Sequence, residues 1–186
     1  MISMFSFDNI VFMKFGYHAE ENEYDIIRRK QLEFENAGKM FWGYGGVICH
    51  PLRQVQPFVR YFNEQNSKVY LVMSFTPSKA LNAGTHAEKY SVDGVNWNKL
   101  PIGINVIGSK FAIVCSKLFT IKEKINLYEY NIAIGQSEGK NASDYIRYRV
   151  DKGCLVKNAN NKQNKSNIKN IELYAEIVYP YAVLIR

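Results

Sequence analysis

Helix signals in this 186-residue chain fade after Ala80, and turn signals multiply from there on. That asymmetry limits the fold more than any composition figure does. Before residue 80 the order is strand, helix, strand, helix, strand. Phe5 to Phe15 reads as a strand broken by Gly16. Asn22 with Asp25 resembles a capping box, and Gly38 after Ala37 a C-terminal cap, so a helix runs from about Glu23 to Asn36 with Tyr24, Ile27, Gln31 and Phe34 on one face. A glycine-rich strand follows from Lys39 to Ile48. Pro57 suits the first turn of a second helix to about Gln65, with Phe58 and Phe62 buried, and Lys68 to Phe75 is rich in β-formers. Beyond residue 80, Asp93-Gly94 marks a hairpin, and Gly108-Ser109 separates the strand Ile102 to Ile107 from Lys110 to Ser116. Parity shifts near residue 127 within Ile125 to Ile134, which predicts a bulge. Two closing strands, Ile171 to Pro180 and Tyr181 to Ile185, leave Lys157 to Asn170 as an exposed, mobile, Lys/Asn-rich insertion. Helices gathered early and strands later predict an α+β fold: a single domain, 1–186, whose mixed, mostly antiparallel sheet carries two N-terminal helices and one later helix.

No apolar run exceeds about five residues, against the roughly 20 that span a bilayer, so no membrane helix is expected. The first residues lack a signal-peptide pattern, which predicts a cytoplasmic protein. Three widely spaced cysteines, Cys49, Cys115 and Cys154, give neither a disulfide framework nor a metal-ligand motif, and no cofactor motif is present. The net charge of +7 lies wholly in the second half, since residues 1–93 balance 10 basic against 10 acidic side chains. A basic surface favours anionic partners. Lys, Asn, Ile and Tyr nevertheless make up 66 of the 186 residues, a bias that AT-rich codons produce and that suits a low-GC bacterium or its phage. Charge therefore counts little toward nucleic-acid binding.

Between Phe41 and Pro51 the strand pattern is interrupted by glycine. Alternation puts Trp42 and Tyr44 on one face and leaves the other bare at Gly43 and Gly45, with Gly46 following. Tight internal packing explains such a face, and so does a ligand lying against it. A second segment, Gly135 to Ser143, follows a strand and precedes a helix expected to run to Lys152. Strand, glycine loop and helix N-terminus form an anion-binding arrangement, to which Ser137, Lys140, Ser143 and Arg147 contribute. The loop is one residue short of a phosphate-binding G-x-x-x-x-G-K-[ST] motif, and Asn141 replaces its hydroxyl. A surface loop with a well-capped helix accounts for the same residues.

Only three histidines occur. His50, at a strand end before Pro51, is the candidate catalytic group, with a solvent-exposed or structural role as the alternative. His18-Ala19-Glu20 and His86-Ala87-Glu88 spell H-A-E, as zinc-dependent nucleoside deaminases do, but the P-C-x-x-C that completes that metal site is missing. Either His18 or His86 would form an acid-base pair with His50 if the fold brought them together. Trp42, Tyr44, Tyr90 and Trp97 offer surfaces for base stacking, against the expectation that most aromatics are core.

These residues point first to a small cytosolic protein that binds a phosphorylated small molecule, in the first place a nucleotide or nucleotide signal, with sequestration as one role. Its pocket would join Trp42, Tyr44, Gly45 and Gly46 to Ser137, Lys140, Ser143 and Arg147. The second reading is an enzyme that cleaves phosphodiester or glycosidic bonds in nucleotides through His50. The third is a basic nucleic-acid-binding protein. Oligomeric state is not legible.

Overall fold

A computed structural model describes residues 7–16, 21–77, 84–147, 150–161 and 164–186. It is an α+β fold built on one ten-stranded open sheet. The strands are β1 (Asn9–Phe15), β2 (Met40–Tyr44), β3 (Tyr70–Phe75), β4 (Lys89–Ser91), β5 (Asn98–Lys99), β6 (Phe111–Cys115), β7 (Phe119–Asn126), β8 (Tyr130–Ile132), β9 (Lys152–Lys157) and β10 (Ile168–Ile185). The main path runs β2-β6-β10-β3-β1-β9-β8. Among the described residues only β1 and β3 pair in parallel, joined through the helices α1 (Glu23–Ala37) and α2 (Gln56–Asn63), while the remaining pairs are antiparallel.

The sheet is folded over on itself along β10. Residues 173–176 of that strand pair with β3, residues 182–184 pair with β6, and the register shifts between Ile177 and Ala182. A strand that bends between two pairing partners is how a sheet turns a corner. Pro180 therefore does not end a strand as expected. It lies inside one 18-residue strand shared by both halves. The main core fills the space between them, with Val11, Met13, Phe15, Leu71 and Met73 from one half against Met40, Trp42, Tyr44, Ile113 and Cys115 from the other. Phe15 meets Trp42 edge-on at 5.8 Å. Val55 and Phe58 close one side, where residues 51–55 form a π-helical turn leading into α2. On the outer faces, Tyr130, Leu127 and Ile146 cover one half, and Val106, Leu100 and Ile104 cover the other.

The caps of α1 follow the sequence. Asn22 accepts from the Asp25 N–H at 3.0 Å, and Gly38 adopts a left-handed φ of 71°. Its buried face does so in part, since Ile27 and Phe34 pack against the main core as expected. Ile26, Lys30 and Glu33 are buried, whereas Tyr24 is 81% exposed. Besides these apolar contacts, Lys30 and Glu33 seat the helix on a strand edge, and an apolar-stripe reading cannot anticipate that.

Other departures are local. Ile102 to Ile107 forms no strand, and Ile107 bridges His86 rather than turning back through Gly108-Ser109. The Asp93-Gly94 turn does join two strands, β4 and β5, through a longer loop. There Asp93 accepts from Val95 N, Asn96 N and Ser91 Oγ, and these bonds hold its carboxyl far below the ordinary range. Near residue 127 the chain makes a 3-10 turn, Leu127–Glu129, instead of a bulge, as it leaves β10 for β9. The expected helix from Ser143 to Lys152 is a single turn, α3 (Ala142–Tyr145), capped by Asn141, and Lys152 opens β9. The connection after β9 spans 158–167, shorter than the expected insertion. Its two ends are tied down by Asn158 N–H to Glu129 O at 2.7 Å and Asn167 Nδ2 to Ser143 Oγ at 2.8 Å. Among the described residues no helix is long and apolar enough to cross a membrane.

Candidate functional site

A half-open cavity of about 460 Å³ lies at the mouth of the folded sheet, where the ends of β1 and β2 meet α1, the 106–109 segment and the start of β9. Its volume falls in the range of small-molecule sites. Trp42, Tyr44, Gly45 and Gly46 all line it, and Gly43 does too.

The wall at β2 depends on a buried ionic seam. β2 is an edge strand, and an unpaired edge leaves N–H and C=O groups to be satisfied. The Phe41 N–H donates to Glu33 Oε2 at 3.0 Å, and its carbonyl accepts from Lys30 Nζ. The same two side chains serve Asn105, whose N–H donates to Glu33 Oε1 at 3.1 Å and whose carbonyl accepts from Lys30 Nζ at 3.1 Å and Arg29 Nη1 at 2.9 Å. Lys30 and Glu33 are 2.7 Å apart, and Glu21 holds Arg29 through two bonds of 2.8 Å. One ion pair thus replaces a missing strand between residues 41 and 105. Burial brings the Lys30 ammonium down to about 8, a shift that Glu33 opposes.

The glycines of this wall answer two different needs. A Cβ on Gly43 would lie 2.6 Å from Ser109 Oγ and 2.7 Å from Val106 Cγ1, so internal packing requires glycine there. Gly45 faces open space, and Gly46 has a φ of +86°. Internal packing therefore explains the glycine at 43, and it does not explain the one at 45.

Lys152 is the cation best placed to meet a ligand. On β9 it shares a face with Cys154, which lies in the main core. Its side chain is 8% exposed, its Nζ is 6.0 Å from the Tyr44 ring centre, and a Cβ on Gly46 would be 3.8 Å from that nitrogen. Asp151 Oδ1 takes one of its three donors at 2.6 Å. Lys30 and Arg29 also line the cavity but spend their donors on the seam. Lys14 lines it from the strand face opposite Met13 and Phe15, and its ammonium is lowered by burial and by Lys169. Sequence reading missed Lys152 by treating it as the end of a helix. The apolar run Cys154-Leu155-Val156 beside it was the available β signal.

Behind this wall the Tyr44 hydroxyl donates to the Cys49 carbonyl. Burial pushes the Tyr44 phenol up, and a hydrogen bond with Cys49 together with burial pushes up the Cys154 thiol. All three cysteines are buried and free.

The remaining candidates sit elsewhere. Ser137, Lys140, Ser143 and Arg147 are not among the residues lining the cavity. Ser143 is buried, and its Oγ accepts from Asn167, while Arg147 pairs with Asp144 at 2.7 Å and donates to the Ser143 carbonyl at 3.0 Å. The four-residue α3 offers no extended helix dipole to an anion. His50 is also outside the cavity lining. Its Nδ1 accepts from Leu52 N at 3.3 Å as a cap for the π-helical turn, its ring packs 5.1 Å from Phe111, and burial and Arg53 lower its pKa. His86 Nδ1 instead pairs with Asn105 Oδ1 at 3.0 Å, and His18 lies outside the described residues. Tyr90 packs on Phe41, and Trp97 lies beneath the Arg186 guanidinium at 3.9 Å. Among the described residues no three His, Cys, Asp or Glu side chains gather as a metal site. No protein-family model matches the chain, and comparison with curated proteins and with solved structures finds no match either.

Proposed function

We propose that this is a cytosolic protein that binds a phosphorylated small molecule, in the first place a nucleotide, in the cavity between β1, β2, β9 and α1. The supporting observation is the placing of Lys152, a buried ammonium with one carboxylate partner, beside two aromatic side chains and the glycines that leave the cavity open. A cation in such partial shelter attracts a phosphate more strongly than one in open water. Trp42 and Tyr44 supply apolar wall for a base or sugar. The residues at Ser137, Lys140, Ser143 and Arg147 do not enter this reading, because none of them lines the cavity, and the Ser143 and Arg147 side chains serve local bonds.

Binding is favoured over catalysis because, among the described residues, no histidine lines the cavity, and its titratable groups there are Lys14, Arg29, Lys30, Asp151, Lys152 and Tyr44. The test is to incubate the protein with mono-, di- and cyclic nucleotides, remove unbound material, denature and identify what was retained by mass spectrometry. Retention of one intact compound, reduced in Lys152→Ala, is the expected result. A compound converted to a new product would make the protein an enzyme. Retention of no small anion would overturn the proposal.

A further inference from the structure

The edge of β2 is sealed at Phe41 and left open two residues later. We infer that Gly43 reads the hydrogen-bonding edge of a nucleobase through its own main-chain N–H and C=O. This rests on the nucleotide reading above and adds which end of the ligand the strand recognises.

The direction of the Gly43 groups follows from the ladder. The Ser116 N–H donates to the Glu176 carbonyl at 2.9 Å and the Ile185 N–H to the Lys110 carbonyl at 2.9 Å, so by alternation Ala112 between them faces β10; at the strand end the Lys110 N–H itself turns to the Tyr44 carbonyl at 3.3 Å. Phe111, Ile113 and Cys115 then face β2, where they pair with Tyr44, Trp42 and Met40. Phe41 and Gly43 consequently direct both main-chain groups off the sheet. Phe41 shows this directly, since its N–H and C=O go to Glu33 and Lys30. At Gly43 that seam has ended, and the residue lines the cavity. No hydrogen bond among the described residues takes up its outward pair. The tight approach of Val106 and Ser109 to Gly43 fixes the strand there, so the two groups are held in place.

An outward N–H and C=O on one extended residue form half of the two-bond ring of an antiparallel ladder. Their complement is a flat group with an acceptor beside a donor, which every nucleobase carries on its Watson–Crick edge. From Gly43 to Gly46, beside Lys152, the chain reaches about 10 Å at most, a span that a mononucleotide covers from base to phosphate.

The test uses the unaltered protein. Titration calorimetry compares uridine 5′-monophosphate with its N3-methyl form and guanosine 5′-monophosphate with its N1-methyl form, with ribose 5-phosphate as baseline. Methylation removes the ring N–H that stands beside the carbonyl acceptor and leaves the phosphate intact. The expected result, for the base that binds, is about a tenfold or greater loss on methylation, toward the ribose 5-phosphate value. Equal affinity within each pair overturns the base-edge inference and leaves nucleotide binding standing. Failure of every nucleotide to bind overturns both.

Discussion

The glycine segments at 43–46 and 135–139 look alike in sequence and differ in where their main-chain groups go. In the second, Glu138 N–H donates to Gly135 O, Lys140 N–H to Ser137 O and Gly139 N–H to Ile132 O, while Ile132 N–H returns to Lys140 O. The loop spends its donors on closing itself against β8. In the first, the chain is held by groups from α1 and the 105–109 segment, and the space beside it stays open. An anion needs N–H groups that the protein has not already used. Glycine content therefore marks a site only where the fold leaves those groups unpaired.

The contrast is most easily broken at the seam. Glu33→Ala leaves Lys30 buried without its carboxylate and two main-chain N–H groups without an acceptor, so a loss of about 3–5 kcal/mol is expected in chemical denaturation. An unchanged midpoint would mean that the edge of β2 does not depend on α1. Next in size, Gly43→Ala forces a Cβ against Ser109 and Val106 and should cost about 1–3 kcal/mol, whereas Gly45→Ala, facing open space, should change the melting temperature little. Equal effects at the two positions would remove the distinction between packed and open glycine. On the binding side, Lys152→Ala should weaken nucleotide affinity about tenfold, while Lys140→Ala with Arg147→Ala leaves it unchanged. The reverse pattern in the same titration would move the site to the second loop.

The smallest effect is in pH. Cys115 and Cys154 thiols have raised pKa values, so above about pH 9 the unfolded chain has lost protons that the fold retains, and stability falls as pH rises. Lys30 acts in the opposite sense. With its pKa lowered to about 8, the fold holds fewer protons than the unfolded chain between there and 10.5, and its contribution rises with pH. Cys115→Val should therefore make the alkaline decline shallower, and a steeper one in denaturation series from pH 8 to 10 would contradict the assignment.

What the sequence made legible was local. Asn22, Asp25 and Gly38 bound α1 because capping involves residues three or four apart, and alternation alone put Trp42 and Tyr44 on one face. Lys30 and Glu33 lie off the face that the spacing marks out, and nothing near them in the chain says that a strand edge 8 to 11 residues away needs their polar atoms. Lys152 was hidden for a related reason. Tyr145, Ile146 and Val150 suggest a helix through it, and only the pairing of β9 with β1 overrides that local preference. The α+β class survived these errors because it depends on the strand and helix order, not on which face each element buries.

The long bent strand β10 has a bearing on how the molecule assembles. It pairs with β3, β4, β6 and β7, yet it comes after all of them in the chain. On a ribosome those four strands emerge without the neighbour that joins them, and their apolar faces stay uncovered until residue 168 and beyond have been made. Folding of this kind closes large loops late, which slows it and lengthens the period in which unpaired edges meet other chains. The nascent protein is thus most exposed to self-association just before its last strand appears, and chaperones that shield nascent chains would act on it in that interval.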